Sequence, residues 1–232
     1  MGQIKLFLFG SGEPPDFEQA VKVIIATFAV FTGFTITGYL KDYVFSPFNV
    51  ERYPDWHGWV GDWHIWAFVA LVALLLRYVI GSAVHLHHTY VTKVPVTINN
   101  VMWTRSRSIS VGLLFMDLCF LVLFGVLAVF VTKAPDIETF MWRAIWFVAA
   151  GFAWSLTDLL RSAWSWYRGR GMRFFWAMWL CLDGLQLAAT FWLLTRHAWP
   201  DPARAEVLAV VYVLFLFADL LALVRAIQLR WV

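Results

Sequence analysis

The chain has 232 residues, of which 61% are hydrophobic, 19% aromatic and only 14% charged, with a formal net charge of +3 and a mean hydropathy of +0.69. Soluble domains average about 45–50% apolar and about 25% charged residues, so too little polar surface remains here to clothe a water-soluble globule. A cytosolic enzyme, a nucleic-acid-binding domain and a disordered chain are excluded, and the lipid bilayer is the natural solvent and first partner.

The N-terminal apolar stretch is too short for a signal-peptide core and no small-residue cleavage site follows it. Residues 1–19 read as a cytoplasmic or interfacial segment, and residues 20–232 as one transmembrane domain. The first span is expected to act as its own insertion signal. Pro14-Pro15 forbids helix upstream, and Asp16 with Gln19 resembles a capping box.

A membrane-crossing helix needs about 20 apolar residues. Six runs meet this length: Ala20–Leu40, Trp63–His85, Ile109–Val131, Phe140–Trp164, Phe174–Thr195 and Glu206–Ile227. They are too long and too continuously apolar for barrel strands, and helices satisfy every backbone group in lipid. The expected fold is therefore an all-α integral membrane protein of six transmembrane helices. The Thr89–Asn100 connection is rich in β-branched residues and reads as extended at the interface.

A weak repeat groups the spans into three hairpins. Pro54-Asp55, Pro135-Asp136 and Pro200-Asp201 each precede the second helix of a pair, where proline and an acidic residue suit a helix start. Asp117 precedes Pro135 by eighteen residues and Asp183 precedes Pro200 by seventeen. Asp158-Leu-Leu and Asp219-Leu-Leu recur late in the second helices, with Arg77 at the corresponding place in the first hairpin.

With six crossings, eight basic residues lie on the side of the termini and six on the other. This bias places the termini in the cytoplasm, in a bacterial inner membrane. Much of the tryptophan falls near span ends, as in an interfacial belt. Cys119 and Cys181 form no CxxC pair and read as small buried hydrophobes. Gly33 and Thr37 on the first span, and Ala149-Ala150-Gly151 on the fourth, offer small surfaces for close helix contact.

The informative residues are the charges inside the spans. Each isolated charge at mid-membrane costs about 2.5–3.5 kcal/mol on insertion scales, so such groups must face the bundle, pair, protonate or line water. Asp117, Asp158, Asp183 and Asp219 are the candidate ion-pathway residues, with Arg77 and Arg161 as their counter-charges. Arg77 and the four acids fall at similar depths from the cytoplasmic ends, which predicts one acidic layer. Asp183, Gln186 and Thr190 form a polar stripe at helical spacing, and Tyr212 lies two turns from Asp219 on one face. This pattern points to a transport or channel-like protein, a homo-oligomer or member of a membrane complex, that moves protons or a small cation along the layer. A competing reading is a buried ion-pair network, as in a non-catalytic subunit of a redox or energy-converting complex that holds lipid, quinone, pigment or partner helices.

The histidines form two groups. His57, His64 and His197 fall on the external side and could bind a divalent metal such as zinc, or copper, with Asp55 or Asp62. His85, His87 and His88 sit at the cytoplasmic end of the second span and read as interfacial residues. No nucleophilic triad, P-loop, dinucleotide-binding glycine turn or Schiff-base lysine is visible, so no cofactor is assigned and an enzyme is the weaker expectation.

Overall fold

The computed structural model describes residues 17–45, 61–87, 95–98, 101–104, 111–164 and 170–228. The described residues form six long helices: α1 (Phe17–Tyr39), α2 (Trp63–Leu86), α3 (Val111–Thr132), α4 (Ile137–Trp164), α5 (Arg170–Leu194) and α6 (Asp201–Gln228). A π-helical turn, Leu40–Val44, extends α1. Among the described residues the strands are a short antiparallel pair, β1 (Pro95–Ile98) with β2 (Val101–Thr104), in which Ile98 faces Val101. Part of the stretch expected to be extended thus forms a strand, as β-branched residues favour.

Local chemistry sets the helix starts. Asp62 caps α2 by accepting from the His64 amide at 2.9 Å. Asp136 caps α4 by accepting from the Thr139 amide at 2.7 Å and its hydroxyl at 3.0 Å. These are the bonds that an N-terminal acidic side chain supplies to orphaned amides. The capping residue Asp16 and the first Pro-Asp pair, Pro54-Asp55, lie outside the described residues.

Five helical segments are long and apolar enough to cross a membrane: Val21–Val44, Trp63–Leu86, Phe115–Thr132, Trp176–Leu194 and Asp201–Arg225. The chain is therefore a multi-pass membrane protein in contact with lipid. The remaining long helix, α4, has 28 residues and is about 42 Å long at 1.5 Å per residue. Glu138, Arg143, Asp158 and Arg161 make it less apolar than its neighbours.

Side-chain partners give the helix directions. Asp183 of α5 meets Tyr78 of α2, while Trp179 lies over Gly81 and Trp176 lies against His85, so the two helices run antiparallel. Gly151, Ser155 and Asp158 of α4 follow the sequence Tyr78, Asp183, His85, which sets α4 parallel to α2. The helices of each expected hairpin touch, but the most extensive contacts are α2 with α6 and α4 with α5. These pairs join different hairpins, so the bundle is knit across the expected hairpin units more than within them.

The core is apolar at its centre, with Leu71, Leu74, Phe124, Phe140, Phe147 and Leu208 wholly buried. The outer surface is apolar too: Phe34 is 72% exposed and Leu221 71%. Large apolar side chains displayed this way suit hydrocarbon and not water.

Two sequence expectations are corrected here. Cys119 and Cys181 are exposed, turned to the outside of the bundle. A small thiol tolerates either environment, so composition could not choose. A Cβ on Gly33 would meet nothing within 4 Å among the described residues, so Gly33 mediates no close contact with them, whereas a Cβ on Gly151 would strike the Tyr78 hydroxyl at 2.0 Å.

Candidate functional site: two buried charge clusters

All four span aspartates are buried, at 0% exposure for Asp117 and Asp183, 1% for Asp158 and 2% for Asp219. They turn inward, as the cost of a charge in hydrocarbon demands. They do not form a single layer. They gather in two clusters around two residues of α2, Arg77 and His85, which are eight residues apart, or about 12 Å along the axis. Depth counted along separate helices could not resolve this, because long side chains and helix offsets move the charged atoms.

In the first cluster the Arg77 guanidinium contacts Asp183 at 2.9 Å and pairs with Asp219 through Nε. It also donates through Nη1 to Gln186. The planar fork of arginine suits three acceptors in different directions, which a lysine could not match. Rings of Tyr78, Trp179 and Phe215 surround the cation at 5.6–5.8 Å from its central carbon. Asp183 is further held by the hydroxyls of Tyr78 (3.2 Å) and Ser155 (2.9 Å), both donating. Two carboxylates share one cation, and Asp219 Oδ1 is buried with no hydrogen-bond partner among the described residues. One step farther along α5, Thr190 shares a 3.0 Å hydrogen bond with Tyr212 of α6. The expected stripe Asp183–Gln186–Thr190 thus lies wholly inside, at 0% exposure for each residue.

In the second cluster the His85 ring lies between two carboxylates. Nδ1 is 2.7 Å from Asp158 and Nε2 is 3.1 Å from Asp117. The Trp154 indole N–H donates to the other oxygen of Asp117 at 3.1 Å. Trp154 and Trp176 meet the imidazole edge-on, with centroids 4.9 and 5.1 Å away. With only 1% exposure, His85 is a core residue and not the interfacial one expected. Sequence reasoning missed it because Leu86 and His87-His88 follow it. The available signal was its place eight residues after Arg77, within the broad inward stripe that positions i and i+8 of a helix share.

Potential ligand atoms of His85, Asp117 and Asp158 all lie within 4.8 Å of one another, and among the described residues this is the trio able to hold a metal. Both ring nitrogens already face carboxylates. A metal could take one nitrogen only, leaving the other carboxylate to orient the ring. The proposed external metal site is not assembled by the described residues. His64 contacts its own capping residue Asp62 at 2.7 Å and stacks on Trp63. His197 is exposed beside Glu138 at 3.7 Å. His64 has found a carboxylate two residues away, and His197 one on α4, so neither is drawn toward the other. His57, and the side chain of Arg161, lie outside the described residues.

Between the clusters lies a cavity of about 10 Å³, whose polar lining comes from Tyr78, His85, Ser155 and Asp158, with Gly81 and Gly151 giving it space. From Trp176, level with His85, to Thr190 is fourteen residues of α5, so the polar column is about 21 Å tall. Beyond Thr190 on α5, Leu193 is wholly buried, as are Ala205 and Leu208 before Tyr212 on α6. The chain matches no family model, no curated protein and no solved structure.

Proposed function

We propose that this multi-pass membrane protein moves protons or a small monovalent cation through its interior, using the four buried aspartates as carriers or ligands. The observation that carries the reading is the first cluster, where Asp183 and Asp219 together face the single cation Arg77. Among the described residues that leaves one negative charge in excess, in a medium where an uncompensated charge is expensive. One proton or one monovalent cation balances it. Arg77 holds the two acids in place. In this reading α4 is the sixth crossing, the termini are cytoplasmic in an inner membrane, and the protein works as an oligomer or within a membrane complex.

Reconstituted vesicles test this. Asp183→Asn should abolish flux while the protein stays folded, since the amide oxygen still accepts from the Tyr78 hydroxyl and the amide N–H, standing where the second carboxylate oxygen was, donates to the Ser155 oxygen instead. Wild-type flux that persists in Asp183→Asn overturns the proposal.

One observation favours the alternative of a non-catalytic subunit. A groove of about 490 Å³ runs between α1 and α3, lined by Val23, Phe28, Phe31, Leu121, Gly125 and Val126 among others. It suits a lipid chain, a quinone or a partner helix. A visible spectrum and lipid extraction of the purified protein decide it: a stoichiometric chromophore or quinone supports the subunit reading.

A further inference from the structure

The transported species can be narrowed, on the basis of the transport reading above. We infer that the moving species is the proton, and that it passes between the two clusters through one water molecule held by Tyr78, Ser155, His85 and Asp158. A water needs a cavity of about 10–15 Å³ and two to four polar partners. The cavity between the clusters has about 10 Å³ and four polar lining residues, so it fits one water and no hydrated cation.

The neighbouring distances make a chain. His85 Nδ1 is 2.7 Å from Asp158 Oδ2. Asp158 and Ser155 both line the cavity, and the Ser155 hydroxyl donates to Asp183 Oδ2 at 2.9 Å. A proton leaves Nδ1 for the Asp158 carboxylate, as an N–H bond breaks and an O–H bond forms. Asp158 protonates the water, the water protonates the Ser155 oxygen, and Ser155 releases its original proton to Asp183. Every intermediate oxygen ends with the protons it began with, and one proton has moved from the second cluster to the first. Asp117 on α3 faces the far nitrogen of the ring at 3.1 Å: a proton passed from Asp117 to Nε2 as Nδ1 releases its own leaves the Nε2–H tautomer, and a turn of the ring that brings the N–H back to Asp158 resets the step. On the other side Asp183 shares the Arg77 guanidinium with Asp219 of α6, so a proton on Asp183 leaves Arg77 balanced by one carboxylate.

Two glycines guard this space. A Cβ at Gly81 would lie 1.9 Å from the Trp179 ring, and one at Gly151 would lie 2.0 Å from the Tyr78 oxygen. The two glycines therefore admit the Trp179 and Tyr78 rings, which help to wall the cavity.

The test is flux into vesicles of the full chain, read with an internal pH dye under a potassium–valinomycin potential and in parallel with radioactive sodium. The expected result is proton flux without sodium uptake. It should fall about tenfold or more in Ser155→Ala, as for loss of a proton-transfer group, and return in Ser155→Thr, which keeps the hydroxyl. Thermal melting confirms that each variant is folded. Should Ser155→Ala misfold, Tyr78→Phe, which keeps the ring but removes its hydroxyl, is expected to slow the flux instead. Sodium uptake matching proton uptake overturns the assignment of the proton. Undiminished proton flux in folded Ser155→Ala overturns the water path, although Asp183→Asn would still report on transport itself. No flux of either ion in the wild type overturns both readings.

Discussion

Removing the Arg77 side chain is the sharpest test of what holds the bundle together. Arg77 is 1% exposed and contacts Asp183, Asp219 and Gln186, contributed by two other helices. Arg77→Met keeps length and bulk but leaves two carboxylates facing each other without a cation. Breaking a buried pair by removing one partner costs about 3–5 kcal/mol, whereas replacing the whole pair with neutral groups is often nearly neutral. For a chain of this size, 1 kcal/mol moves the melting temperature by about 2–4 °C. Arg77→Met should therefore melt about 6–20 °C below wild type. Arg77→Lys should fall in between, since it restores the charge but not the fork. The triple variant Arg77→Met/Asp183→Asn/Asp219→Asn should recover most of the loss, because no charge remains to be compensated. Melting in lipid nanodiscs, followed by intrinsic tryptophan emission, gives the comparison; Trp179 lies 5.7 Å from the guanidinium and reports locally. A loss below about 1 kcal/mol, the worth of an exposed pair, or a triple variant no more stable than Arg77→Met, would refute this account.

Gly81→Ala should destabilise by about 1–3 kcal/mol through overpacking against the Trp179 ring. Gly33→Ala, where a Cβ meets nothing, should be neutral or gain up to about 1 kcal/mol; the opposite order in thermal melts contradicts the packing described. Cys119 and Cys181, exposed on apolar helices, should react with a membrane-permeant maleimide and resist a charged, water-soluble thiosulfonate; equal rates with both reagents would place these surfaces in water. Lys133 contacts Asp42 at 2.9 Å, and the hydrogen bond and charge of that aspartate raise the lysine above its ordinary 10.5. A raised folded-state value stabilises fully below the ordinary lysine range and is lost as pH climbs past the folded value. The small melting difference between Lys133→Met and wild type should therefore shrink with added salt and vanish in strong alkali. A difference that grows there contradicts the pairing.

Composition alone decided the solvent. With 61% hydrophobic residues, the chain has to put apolar groups outward as well as inward. Periodicity then located the helices to within a few residues, since the span read as Trp63–His85 is the helix Trp63–Leu86. The inward turn of the aspartates was equally legible, because hydrocarbon leaves a charge no alternative. Partner choice was not. That Asp158 meets His85 on another helix depends on how α4 is set against α2 in depth and rotation, and no local spacing encodes that. The clusters come from contacts made across hairpins, Arg77 with Asp219 being 142 residues apart in sequence. The place of His85 depends on the same offset: a histidine at a helix end is interfacial by default, and only the packing of Trp154, Trp176 and two carboxylates around it makes it a buried core residue.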